Sequence, residues 1–243
     1  MIEKKSSVPI YVQLEEYIKQ KIKERVYLSG ESLPTERELT ELFDVSRMTV
    51  RQAISNLVHQ GVLYKIPGKG AFVSKEVIEK KLEIQSFSQD MEKRGLTPSS
   101  KILYFEKITP DNEMKLKLQL SENEQIYFIN RLRLANNEPM AIEYCYLPEK
   151  YYPDLMKYNL EKCSLYTLMK QEYHAIFNYM KQDIKAINMS KKEAEMLLGK
   201  ARGFGIASFR TIFNDEEIPV EHTKTIYNPD RYTFNMVFFN TNP

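Results

Sequence analysis

Val45-Ser46-Arg47-Met48-Thr49-Val50-Arg51-Gln52-Ala53 decides how the first 75 residues of this chain are read. Ser46 suits a helix N-cap, where its hydroxyl accepts a free backbone N–H of the first turn. Behind it Val50, Ile54, Leu57 and Val58 fall on one helical face, and Gly61 is a natural stop. Arg47 and Arg51, four residues apart, share another face with Gln52 and Ser55 nearby. The spacing therefore predicts a helix with an apolar back and a basic, polar front.

Upstream, Ile10, Leu14, Tyr17, Ile18 and Ile22 recur at helical spacing after Pro9, and that helix is expected to end near Val26. A second helix is predicted from Thr35, where Thr35-Glu36-Arg37-Glu38 has the form of a capping box. Downstream, residues 62–66 and 71–73 read as two strands joined by Pro67-Gly68-Lys69-Gly70. Three helices and a basic hairpin make a winged helix-turn-helix. A helix fits the DNA major groove, where Arg can donate a bidentate pair to guanine. Glycines at the hairpin tip let backbone approach a phosphate or enter the minor groove.

Charge supports that reading. Residues 1–75 hold twelve Lys/Arg and nine Asp/Glu, a net of +3 within a chain of net +2. All nine acids lie at or before Asp44, and residues 45–75 carry five basic side chains and no acid. Such a stretch suits a polyanion, although a solvated basic face is the plainer alternative for any charge run.

Three blocks carry a family likeness: Leu33-Pro34-Thr35-Glu36-Arg37-Glu38-Leu39, residues 45–53, and Gly68-Lys69-Gly70-Ala71-Phe72-Val73. In order and spacing they closely resemble the DNA-binding domain of GntR-family regulators. The resemblance implies that Arg37, Arg47, Thr49 and Arg51 meet bases or phosphates in the major groove, and that Gly68 to Gly70 place a wing tip in the minor groove. Thr35, Ser46, Gln52 and Lys65 complete the expected DNA-facing set. Lys65 and Lys69 stand where the family more often has Arg, and Ala71 where it often has Thr. Lysine is a hydrated point charge, so the wing is expected to add affinity more than discrimination.

Residues 75–81 are polar and charged, and are expected to be an exposed linker between a DNA-binding domain at 1–74 and a second domain at 82–243. In that domain, strand-like runs cover 101–108, 125–134, 139–147, 176–187, 204–213, 218–226 and 232–239. Helices are predicted at 87–94, 112–120, 164–172 and 191–198, the last behind a capping box at Ser190 and Glu193. Asn136-Asn137 is a hairpin signal. The order suggests an α+β domain on a mostly antiparallel sheet.

The chain shows no GxSxG, HExxH or Walker A pattern, and its three histidines, at 59, 174 and 222, lack metal-ligand spacing. Cys145 and Cys163 are expected to be buried spectators in a reducing cytosol. No catalytic residue, metal or cofactor is expected. No apolar run approaches the roughly 20 residues that cross a bilayer, and the charged N-terminus does not read as a signal peptide. Residues suited to binding do stand out. Arg131 and Arg133 alternate on a strand and so share a face, where two planar forks suit a phosphate or carboxylate. An exposed strand face is the plainer alternative. Ser86-Phe87-Ser88 and Ser164-Leu165-Tyr166 each open a helix, whose free N–H groups suit an anion. Glu143 and Glu221 could accept from sugar hydroxyls or an amine, or be ordinary surface carboxylates.

Residues 86–91, 131–136, 139–143 and 230–234 resemble the UTRA effector domain of the HutC subfamily, whose fold is similar to chorismate lyase. Within the subfamily the likeness is to repressors of N-acetylglucosamine utilisation. That resemblance implies a phosphate cradle from Ser86, Phe87, Ser88, Arg131, Arg133, Ser164 and Tyr166, with Glu143, Glu221 and Tyr227 on the sugar. The expected protein is a cytoplasmic, nucleoid-associated homodimer. It would bind a palindromic operator under control of glucosamine 6-phosphate or N-acetylglucosamine 6-phosphate. Another anion, such as trehalose 6-phosphate, and a chorismate-lyase-like enzyme are the alternatives.

Overall fold

A computed structural model of the chain describes residues 3, 6–24, 26–74 and 77–235. They fall into two compact units that divide between Val77 and Ile78.

In the first unit, helices α1 (Ile10–Lys23), α2 (Glu36–Phe43) and α3 (Arg47–His59) precede a hairpin of β1 (Leu63–Ile66) and β2 (Gly70–Val73). Helix α1 stops before the expected Val26, which is 56% exposed and offers the core nothing to bury. The Thr35–Glu38 capping box forms, and Asp44 closes α2 in the left-handed region at φ 49°. Ser46 caps α3 by accepting from Thr49 N–H. Leu14, Ile18, Leu39, Val50, Ile54 and Leu57, each at most 1% exposed, lock the three helices together. Burying side chains of this size supplies on the order of 2 kcal/mol each before entropy is subtracted. Gly68 and Gly70 sit at φ +75° and +99°, which a side chain would strain, and they turn the wing.

The second unit is built on one six-stranded antiparallel sheet in the order β4-β5-β6-β9-β8-β7. Its strands are β4 (Pro98–Ile108), β5 (Ile126–Ala135), β6 (Glu138–Pro148), β7 (Tyr179–Asn188), β8 (Phe204–Phe213) and β9 (Pro219–Tyr227). Asn136 and Asn137, both at positive φ, turn the β5–β6 hairpin. Helix α6 (Leu165–Glu172) packs Leu165, Leu168 and Met169 against Ile129, Cys145 and Leu147 on one face. On the opposite face α7 (Lys191–Leu198) packs Ala194 and Leu197 against Ile142, Ala207 and Ile226. Helices α4 (Phe87–Lys93) and α5 (Asn112–Leu118) were also anticipated within a residue or two.

The expected exposed linker at 75–81 is corrected at residues 78–80, while Lys75 and Glu76 lie outside the described residues. Ile78–Lys80 form a strand, β3, paired in parallel with β10 (Tyr232–Phe234), and Ile78 is 1% exposed against Met91 and Tyr232. Burying Ile78 and pairing its backbone hold this segment in the second unit. The predicted run at 232–239 extends beyond the described residues. Cys163 is a second correction: it is exposed in a turn before α6, and only Cys145 is buried.

Candidate functional site

In the first unit, Arg37, Arg47, Arg51, Lys65 and Lys69 are all exposed, and Thr49 is half-buried. The hydroxyls of Thr35 and Ser46 serve as helix caps, accepting from the N–H groups of Glu38 and Thr49 at 3.2 and 3.1 Å. Gln52 donates to Asn56 at 2.9 Å. A cleft of about 530 Å³ separates the start of α2 from the wing, lined by Thr35, Glu36, Lys65, Gly68, Lys69 and Gly70 among others. The acid-free stretch is not free of acid in space. Glu36 Oε2 accepts from Arg51 Nη2 at 3.2 Å, while its Oε1 lies 3.5 Å from Lys65 Nζ. One carboxylate thus ties the basic helix to the wing.

In the second unit, register brings the charged residues onto one sheet face. Arg131 lies opposite Glu143 and Glu143 opposite Thr225; Arg133 lies opposite Ala141 and Ala141 opposite Tyr227. Arg210 lies opposite Thr223. Arg131 and Arg133 are 3% and 4% exposed and Glu221 is 1% exposed, so the surface alternatives for these residues do not hold. Two small cavities open on this face. Ser86, Phe87, Arg131, Ser164, Tyr166 and Glu221 help to line the first; Lys80, Ala141, Thr225, Tyr227 and Tyr232 help to line the second. Gln85, Phe87, Arg133, Glu143 and Arg210 belong to both. The structure therefore brings together nine of the ten expected residues. Ser88, in the first turn of α4, lines neither cavity.

Buried charges need partners, and most here have them. Arg131 is paired with Glu143, with Nε donating to Oε1 at 3.1 Å. Burial pushes the Glu143 carboxyl up, but Arg131 and Arg133 outweigh it and hold its pKa at about 2. Glu221 Oε1 accepts from Tyr166 Oη at 3.0 Å, Arg210 Nη2 at 3.2 Å and Thr223 Oγ1 at 2.5 Å. Arg133 is the exception. Among the described residues it pairs with no carboxylate, and its nearest ring is Phe87, 4.5 Å from the guanidinium carbon. Burial, then Arg131 beside it, pulls its pKa down to about 10. Arg131 Nη1, Arg133 Nε, Arg210 Nε and Glu221 Oε2 are buried without hydrogen-bond partners. These are groups for a polar ligand to satisfy, anionic by virtue of the unmatched guanidinium.

Two charged lining residues were missed. Arg210 is the lone charge of β8 and lacks the alternating partner that marked Arg131 and Arg133. Lys80 was hidden in the apparent linker. It is 13% exposed and donates to Asp90 Oδ2 at 2.8 Å. Arg94 Nε donates to Asp90 Oδ1 at 2.8 Å.

Residues 10–73 match the family model for bacterial regulatory proteins of the gntR family, and residues 93–233 match the UTRA domain. The chain is 37% identical over 235 residues to the HTH-type transcriptional repressor NagR of Bacillus subtilis, covering 96% of each chain. It is 29% identical to the mannosyl-D-glycerate transport/metabolism system repressor MngR of Escherichia coli, over 94% of this chain and 95% of that one. Among solved structures, PhnF from Mycobacterium smegmatis shares the fold, with a TM-score of 0.73 at 22% identity over 95% of this chain and 99% of that one. The exposed basic helix and wing and the buried polar pocket thus belong to a member of the GntR family, a transcriptional repressor with a helix-turn-helix and a UTRA effector domain.

Proposed function

We propose that this repressor acts as a cytoplasmic homodimer on a palindromic operator and is controlled by an amino-sugar phosphate, glucosamine 6-phosphate or N-acetylglucosamine 6-phosphate. The observation that carries the reading is Arg133, a buried guanidinium without a carboxylate partner among the described residues, beside Arg131 and the serine-capped starts of two helices. A phosphate would take Arg133 with the Ser86 and Ser164 caps, and Glu143, Glu221 and Tyr227 would face the sugar. Relatives named as repressors of mannosyl-D-glycerate and fructoselysine systems support a sugar-derived effector. The sequence likeness to repressors of N-acetylglucosamine utilisation narrows it to the amino sugar.

The two cavities, about 20 and 30 Å³, each have room for about one water, whereas small-molecule sites span about 300–1,000 Å³. A hexose phosphate therefore enters by moving the segments that cover the sheet, of which 85–87 lie soon after β3. That movement is our route from effector to DNA. The pocket is regulatory in this reading, and turnover of chorismate is not expected.

The test is calorimetric titration of the full chain with glucosamine 6-phosphate, glucosamine and trehalose 6-phosphate, followed by operator release with the tightest binder. Equal affinity for the free sugar and its phosphate would sink the phosphate cradle. Tighter binding of trehalose 6-phosphate would replace the amino sugar.

A further inference from the structure

Three of the four cations at this pocket are matched: Arg131 with Glu143, Arg210 with Glu221, and Lys80 with Asp90. A phosphate monoester carries about −1.5 to −2 near neutrality, more than Arg133 alone can balance. A second cation has to turn to the ligand, and the three candidates differ in what they would leave behind. Arg131 and Arg210 can each offer a spare N–H, Nη1 and Nε, but their charges stay matched by Glu143 and Glu221, and if either arginine left, its buried carboxylate would lose its only ion-pair partner among the described residues. Stranding a buried charge in this way is strongly destabilising.

Lys80 has no such restraint. Asp90 holds Lys80 through Oδ2 and Arg94 through Oδ1, each at 2.8 Å, so it keeps Arg94 when Lys80 leaves. Burial alone would raise the Asp90 pKa, but Lys80 and Arg94 keep it lowered. Lys80 already lines the cavity that Arg133, Glu143, Arg210 and Tyr227 share, and its four-carbon stem lets the ammonium swing.

We propose that Lys80 is the second cation of the anion site, exchanging Asp90 for the ligand's phosphate and so carrying pocket occupancy to the segment that leads to the DNA-binding unit. The inference rests on reading the pocket as a phosphate site. Lys80 ends β3, and β3 begins directly after Val77, the last residue of the first unit. The strand is three residues long, anchored by Ile78 N–H donating to Arg231 O at 2.7 Å. Its backbone is tied to the same carboxylate cluster, because Arg94 Nη2 donates to Glu79 O at 2.6 Å. A change of partner at Asp90 thus acts on a side chain and a backbone tie of one short strand.

The experiment compares glucosamine 6-phosphate with glucosamine 6-sulfate, a monoanion of similar shape, by calorimetric titration of the full chain. The wild-type protein is expected to prefer the phosphate by about tenfold, the value of one good charge-assisted hydrogen bond. In Lys80→Met that preference should collapse to within about threefold by loss of phosphate affinity, while Lys80→Arg keeps most of it. Amide exchange at Ile78–Lys80 should change with the phosphate in the wild type and not in Lys80→Met. Lys80→Gln, which retains a donor for Asp90 without charge, repeats the test if methionine disturbs the fold. If both uncharged variants keep the wild-type preference while Arg133→Met loses both ligands, the Lys80 assignment fails and the pocket stands. If Arg133→Met binds as the wild type does, or if neither ligand binds the wild type, the pocket reading fails and this inference with it.

Discussion

Arg133→Met removes a guanidinium that is 4% exposed and has no carboxylate partner among the described residues. Its pKa of about 10 lies well below the ordinary arginine value, a gap worth on the order of 3 kcal/mol. A cation whose pKa is lower folded than unfolded weakens the fold at every pH below the folded value, and is relieved only above it. At neutral pH the whole penalty is present. Set against it, the Phe87 ring returns up to about 2 kcal/mol, of which a methionine sulfur keeps part. The expected net is a gain of about 1–2 kcal/mol, or a rise of about 2–8 °C in the melting of a unit this size. Scanning calorimetry of the full chain, with and without glucosamine 6-phosphate, reads both consequences. The second unit of the variant should melt higher and no longer respond to ligand, whereas ligand at 100 times Kd adds about 2.7 kcal/mol to the wild type. A variant destabilised by more than about 1 kcal/mol, or one still stabilised by ligand, would refute the view that Arg133 is held against its own solvation for the sake of an anion.

Arg47→Ala and Arg51→Ala are each expected to cost about 1–3 kcal/mol of operator affinity and relax base preference, and full affinity in the double variant would refute their role. Glu36→Gln should strengthen binding to random duplex DNA and steepen its salt dependence by about one phosphate contact, because the carboxylate competing for Arg51 and Lys65 is gone; an unchanged salt slope would exclude that competition. His222, with burial and then Lys117 lowering its pKa to about 4, stays neutral where the unfolded residue, at about 6.5, takes up a proton. The stability this contributes is complete above about pH 6.5 and falls as pH drops toward 4, so His222→Gln should flatten the melting profile in that window. Spin labels at an exposed wing position should report a changed distance between the two DNA-binding units of the proposed dimer on effector binding, and an unchanged distribution alongside loss of operator binding would exclude that mechanism.

What the sequence shows and what it hides at the pocket have separate physical causes. Strand period makes Arg131 and Arg133 a pair on one face whatever the sheet order, so their juxtaposition was legible from two letters. The caps at Ser86 and Ser164 were legible for the same reason, as local patterns whose hydrogen bonds close within three residues. Whether that face is buried is not local, which is why an exposed alternative stood beside each charged residue. It is settled by α6 covering the sheet and by β9 and β8 entering after β6, which sets Thr225 and Tyr227 across from Glu143 and Ala141.

Lys80 was hidden more deeply. The segment around it is charged and polar, and its only apolar marks are Val77, 52% exposed, and Ile78, 1% exposed. A three-residue strand has no periodicity to detect, and its partner, Tyr232–Phe234, lies about 150 residues away along the chain. Composition reports only that Lys80 and Glu79 would be at home in water. Only the Asp90–Arg94 cluster and the parallel pairing with β10 give that lysine a fixed address beside Arg133. A weakly encoded strand at this junction is also what a switch requires: three residues of pairing can be traded for a ligand contact, whereas the nine- to eleven-residue strands of the main sheet cannot.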